Sequence, residues 1–194
     1  LDLLPVIFPT LKGMHLNELK ANVSSYKNFP KKCPTILYVA HLFPGSKLSD
    51  LLELARYLKV SGEDADLLET LSMARALLAE KREEDLVDWV SFFARPGAEM
   101  VLETELAFLP DEVRKVKLSE KRRVREANRE HIQRLLDKKP IVTGKMLQEE
   151  GLKPGKEMGL LIKEAEKIAV LCNVTESQEV LSRLKNHPLW PKGR

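Results

Sequence analysis

Between Pro140 and Glu166 the chain reads PIVTGKMLQEEGLKPGKEMGLLIKEAE, and here residue types and spacing suit one kind of chemistry, the holding of an anion. Thr143 has the side chain to N-cap a short helix through Gln148 and Glu149, and Gly151 stands where such a helix ends in a left-handed residue. Pro154 fits the first turn of a second helix, where its missing N–H is harmless, while Gly155 and Gly159 keep the backbone bare. Leu160, Leu161, Ala165 and Ile168 give that helix an apolar stripe. Lys153 and Lys156 flank its start. Free N–H groups, the positive end of a helix dipole and two ammonium groups together make a cradle for phosphate. The same residues also describe a well-capped αα-hairpin that binds nothing.

A second charged feature lies upstream. Arg114, Lys115, Lys117, Lys121, Arg122, Arg123 and Arg125 place seven cations within twelve positions, against one acid, Glu120. Ser119 is expected to cap a helix running to about Asp137, with Val124, Ala127, His131 and Leu135 on one face and Arg122, Arg125 and Arg129 on the other. A guanidinium row suits backbone-phosphate contact, where affinity comes from neutralised charge and released counterions. A solvated helix face has the same pattern. His131, on the apolar face, reads as a core histidine.

No residue receives a catalytic role or a metal. Asp64-Ala65-Asp66 is the single Asp-x-Asp in the sequence, and a nucleotidyl-transfer site needs that pair on a strand, both carboxylates on one side. In a helix start the two diverge by about 200°. His15, His41, His131 and His187 show no metal-ligand spacing, and neither a Gly-x-Ser-x-Gly elbow nor a P-loop is present.

The elements that must position these residues read as helices throughout. Leu1 to Phe8 is apolar and helix-like, and Pro30 to Pro34 reads as a linker. A short apolar helix follows from Pro34 to Phe43, then an amphipathic one carrying Leu48, Leu51, Leu52, Ala55 and Leu58. Ser61 with Asp64 resembles a capping box for a helix bearing Leu67, Leu68, Leu71, Ala74 and Leu78. Further helices are expected around Leu86–Phe93, Met100–Leu109 and, after a capping box of Thr175 and Gln178, through Val180, Leu181 and Leu184. No stretch alternates with period two, so the expected fold is all-α, an irregular multi-helix bundle. At 194 residues, with net charge +3, the chain suits a helical body domain over 1–112 and a basic tail domain over 113–194. Cys33 and Cys172 read as buried free thiols of a cytoplasmic protein, and no run is long enough for a membrane span.

The segment TGKMLQEEGLKPGKEMGLLIKEAE resembles the C-terminal signature of bacterial class II tRNA nucleotidyltransferases, the CCA-adding enzymes, and of their poly(A) polymerase relatives. In that family a Val-Thr-Gly segment leads into a short helix, then Gly-hydrophobic-Lys-Pro-Gly, then a helix with a second glycine. Ile141-Val142-Thr143-Gly144, Gly151-Leu152-Lys153-Pro154-Gly155 and Gly159 match that order. The resemblance runs from about Pro140 to Ala169, with looser matches at Leu3–Pro9, Leu58–Ser61 and Trp89–Gly97. It implies the body and tail of such an enzyme, and the opening leucine inside an apolar stretch suits a piece of a longer protein. The implied partner is tRNA or another structured RNA, with phosphates on Lys153, Gly155, Lys156 and Gly159 and a footprint extended by Arg122, Arg125 and Arg129. Nucleotide addition from CTP and ATP, or ATP alone, with Mg²⁺ would belong to a head and neck outside this chain, which itself carries no cofactor. Two other readings of the residues stay open. A Gly-hydrophobic-Gly turn also occurs in helix-hairpin-helix modules that bind DNA without sequence preference, and apolar stripes with Trp190 would also suit a protein–protein scaffold.

Overall fold

The computed structural model describes residues 16–79 and 86–191, and every regular element among them is helical. In chain order these are α1 (Leu16–Ser24), a 3-10 turn (Ser25–Asn28), α2 (Thr35–Ala40), α3 (Leu48–Leu58), α4 (Gly62–Ala79), α5 (Leu86–Phe93), α6 (Ala98–Leu106), α7 (Asp111–Ala127), α8 (Arg129–Leu136), α9 (Gly144–Glu149), α10 (Lys156–Leu171) and α11 (Ser177–Lys185). The protein is an all-α multi-helix bundle. Among the described residues no helix is long and apolar enough to cross a membrane. The apolar segment Leu1–Phe8 lies outside the described residues.

The chain divides into two compact units. One comprises the described residues up to Arg75 together with Glu99–Leu118; the other comprises the described residues of Ala76–Ala98 and those from Ser119 onward.

In the first unit, i and i+3/i+4 spacing turns Leu51 and Ala55 of α3 and Leu68, Leu71 and Ala74 of α4 inward, where all are buried. Ser61 opens α4: its hydroxyl accepts the Asp64 N–H at 3.1 Å and donates to the Asp64 carboxylate at 2.9 Å. Asp64 is therefore engaged in capping. The expected linker at Pro30–Pro34 is instead a single turn, closed by the Cys33 N–H on the Pro30 carbonyl at 3.1 Å. It follows buried Phe29 and delivers Pro34 to the N-cap of α2.

α7 begins at Asp111, eight residues before Ser119. Asp111 and Glu112 in its first turn complement the helix dipole, and the Pro110 carbonyl accepts the Arg114 N–H at 2.9 Å. This start carries acids and no hydroxyl cap, unlike Ser119.

In the second unit α10 is the central element, packed against α5, α9 and α11. Asn128, at φ −113° and ψ 20°, interrupts the long basic helix expected here: its side-chain amide, at 2.8 Å, shares the Val124 carbonyl with its own backbone N–H, at 3.2 Å, and the chain restarts as α8. The inward face is accordingly Lys121, Asn128, His131 and Ile132, while Ala127, expected in the core, is exposed. α11 starts at Ser177 with Glu176 at its N-cap and no side-chain cap, so Thr175 stands outside the helix. Both cysteines are free but neither is buried as expected: Cys33 is half-buried, and Cys172 is exposed because it follows the last turn of α10 beyond the packed face.

Candidate nucleic-acid interface

The hairpin of α9 and α10 is built by local chemistry at each end of its short arm. Thr143 accepts the Met146 N–H at 3.2 Å, an N-cap bond. At the other end the Gly151 N–H reaches the Gln148 carbonyl at 2.9 Å and the Leu152 N–H reaches the Leu147 carbonyl at 3.0 Å. This paired closure is a Schellman motif, and it needs the left-handed backbone Gly151 adopts, φ 84°. Leu152 then folds back onto the cluster that contains buried Leu147, which completes the motif's apolar contact.

The two arms close against each other tightly. A Cβ added at Gly144 would stand 3.4 Å from the Met158 sulfur, so α9 sits close upon α10 there. Beneath them Ile141, Val142, Leu147, Met158, Leu161 and Ala165 form one buried cluster, which Val180, Leu181 and Leu184 of α11 extend. Trp190 packs on the same cluster, so it serves as an apolar clasp.

Charged groups fasten this core to its neighbours. Arg134 of α8 meets Glu166 of α10 at 2.6 Å, and the second oxygen of Glu166 accepts the Ile141 N–H at 2.7 Å. Lys185 of α11 pairs with Glu150 at 2.6 Å, and His187 lies 3.4 Å from Glu164. His131 is buried, with Nε2 3.3 Å from the Asn173 side-chain oxygen and Nδ1 3.4 Å from Arg134. Burial holds its imidazole below the usual pKa, with the Asn173 bond opposing and Arg134 adding to the fall. It is a core histidine.

Against that frame the four hairpin residues gather at one exposed place. Lys153 lies in the turn, Gly155 is the N-cap of α10, Lys156 its first residue and Gly159 stands one turn on. The helix starts at Lys156, so Pro154 falls just outside it, two residues from the expected first turn. No side chain caps this start. Gly155 is extended, φ 165°, a conformation open to any residue, and a Cβ at Gly155 or Gly159 would meet nothing within 4 Å. Of the nearby carboxylates Glu149 lies 3.9 Å from Lys145 and Glu150 serves Lys185, while Glu157 stands exposed in the first turn of α10 beside Lys156. Among the described residues neither Lys153 nor Lys156 has an ion-pair partner.

The three arginines are arranged differently. Arg122 and Arg125 lie exposed on α7, and each already interacts with another group of the chain. Arg129 is the first residue of α8, across the Asn128 break, and lies 3.8 Å from Glu126 with both side chains about three-quarters exposed. They do not form one row along one helix.

Sequence reasoning missed the residues that set the frame. Arg134 and Glu166 stand 32 positions apart, and nothing in either one's local context marks the other. Lys121, which reads as one more cation of the basic run, is buried with its ammonium 4.2 Å from the Trp89 ring centroid. The aromatic run of α5 was the available signal for that contact.

A scan against protein-family models matched none, and searches of curated proteins and of solved structures found no match.

Proposed function

We propose that this chain is an RNA-binding helical module that holds structured RNA by its phosphates at the start of α10. The observation that carries this reading is the pair Lys153 and Lys156, unpaired among the described residues at an uncapped, exposed helix N-terminus. A cation in the first turn opposes the helix dipole, a disfavoured placement by about 0.3–1 kcal/mol. A bound anion reverses that balance, since it faces the amides and the ammonium groups at once. Gly155 and Gly159 add a bare surface that no neighbouring part of the hairpin uses. Such contacts read backbone and shape rather than base identity, which suits a protein that accepts many folded RNAs.

The resemblance to class II tRNA nucleotidyltransferases and poly(A) polymerases gives this module a setting. In it the chain would supply the body and tail that grip tRNA away from the reacting 3′ end, with nucleotide transfer residing in a head and neck outside these residues. No residue of this chain is assigned to the transfer step.

The test is fluorescence anisotropy of the full chain with a labelled tRNA transcript over a salt series, with duplex DNA as competitor. Lys153→Ala/Lys156→Ala should bind roughly tenfold more weakly, with a log–log salt slope shallower by about one to two. Its far-UV CD spectrum should be unchanged. Unaltered affinity in the double variant overturns the site. Preferential displacement by duplex DNA transfers the site to a helix-hairpin-helix mode, and absence of binding to either polyanion removes the reading.

A further inference from the structure

α10 carries a longer basic feature than its start. At 100° per residue Lys156, Lys163 and Lys167 fall within about 40° of one another, diametrically opposite the buried line of Leu161, Ala165 and Ala169. All three lysines are exposed. Among the described residues Lys163, like Lys156, has no ion pair, and Lys167 contacts Glu164 at 3.2 Å while remaining half exposed. The acids of the helix lie about 80–100° to either side of this line, and one of them, Glu164, pairs with Lys167. Glu166 is held between Arg134 and the Ile141 amide, Glu164 lies mostly buried between Lys167 and His187, and Glu157 is displaced by about 100° from Lys156. On the two borders of the line lie the bare Gly159 and the exposed Leu160 and Leu171.

From Lys156 to Lys167 the line extends about 16 Å at 1.5 Å per residue, a length over which a nucleic-acid strand presents several charges. We infer that the RNA backbone continues from the helix start along this outward face, so that Lys163 and Lys167 are phosphate contacts and α10 is a track. This rests on the RNA-binding reading above. Charge complementarity selects the occupant: a polyanion meets the cations in register, whereas an acidic surface of a folded protein would have to place its carboxylates on one narrow line.

The experiment compares Lys163→Ala/Lys167→Ala with Lys153→Ala/Lys156→Ala and with Lys32→Ala in the other unit, by anisotropy of a labelled tRNA transcript over a salt series. Alanine is a better helix former than lysine, so the variants keep α10. The Lys163/Lys167 double variant should lose roughly three- to tenfold in affinity and about one to two in salt slope, and Lys163→Arg/Lys167→Arg should restore both. Wild-type binding by the Lys163/Lys167 variant, with weak binding by the Lys153/Lys156 variant, overturns the track and leaves the hairpin site standing. An equal loss in Lys32→Ala reduces the effect to net charge and also overturns the track. If neither double variant differs from wild type, the RNA reading fails with it.

Discussion

Arg134 and Glu166 meet at 2.6 Å, and the same carboxylate closes on the Ile141 amide at 2.7 Å, so one side chain of α10 fixes both α8 and the strand of backbone that leads into the hairpin. Both side chains are about one-sixth exposed, which places the pair where neither charge is well hydrated. The Arg134 Nε is buried without a partner, so the guanidinium depends on Glu166 for its compensation.

Glu166→Gln should accordingly destabilise the chain by about 2–3 kcal/mol, because it leaves a largely buried guanidinium unpaired and weakens the bond to the Ile141 amide. Urea unfolding measures the loss. Hydrogen exchange at the Ile141 amide should accelerate more than at core amides of α5, marking a local opening. Equal acceleration at both places would show that the pair does not fasten this segment in particular.

Two glycines of the hairpin should respond to alanine in opposite directions. Gly151→Ala forces a Cβ into the left-handed region and should cost about 1 kcal/mol. Gly159→Ala meets open space within a regular helix and should raise stability by about 0.5–1 kcal/mol. Thermal unfolding separates the two. A gain in stability at Gly159 accompanied by weaker tRNA binding would mark that glycine as kept for an incoming backbone; a gain with unchanged binding would remove it from the interface.

Thr143→Ala removes the acceptor of the Met146 N–H and should cost about 1 kcal/mol, whereas Thr143→Ser should restore most of it. Chemical denaturation of the three proteins tests this. If both variants unfold like wild type, α9 is held by its packing on Met158 and Leu161 alone.

The parts of the hairpin legible in the sequence are those whose cause is local. Thr143 and Gly151 act within five residues of where they stand, so spacing alone located the cap and the closure. The same locality gave Ser61 with Asp64. Where local signals competed the reading slipped: Ser119 is a competent cap, yet Asp111 and Glu112 start the helix earlier, and Asn128 breaks it from within by bonding Val124. Tertiary partners were beyond reach. Helical spacing sets Lys121 on the face of Val124 and Asn128 and Arg122 off it, but a lysine in a basic run does not announce that it is buried over Trp89. Arg134 with Glu166, and Lys185 with Glu150, join elements whose adjacency only the packing of α10 decides.

His41 in the first unit gives a pH dependence whose sign follows from its surroundings. Its ring is fully buried, in contact with Phe29 and Phe108, with neither nitrogen hydrogen-bonded. Burial, reinforced by the Arg75 charge, pushes its pKa down to about 3 from 6.5, and Glu105 at 3.8 Å does not reverse this. The folded chain therefore keeps His41 neutral where the unfolded chain takes up a proton. Its contribution is fully present above pH 6.5 and falls as pH drops below that, by up to about 1.4 kcal/mol per pH unit. Glu105, whose pKa burial raises against the pull of Arg75, works in the opposite sense once it begins to protonate. Urea unfolding at half-unit pH steps should show this slope in the wild-type chain and a flatter curve in His41→Leu, where nothing titrates. Parallel curves for the two proteins would show that His41 is not the group responsible.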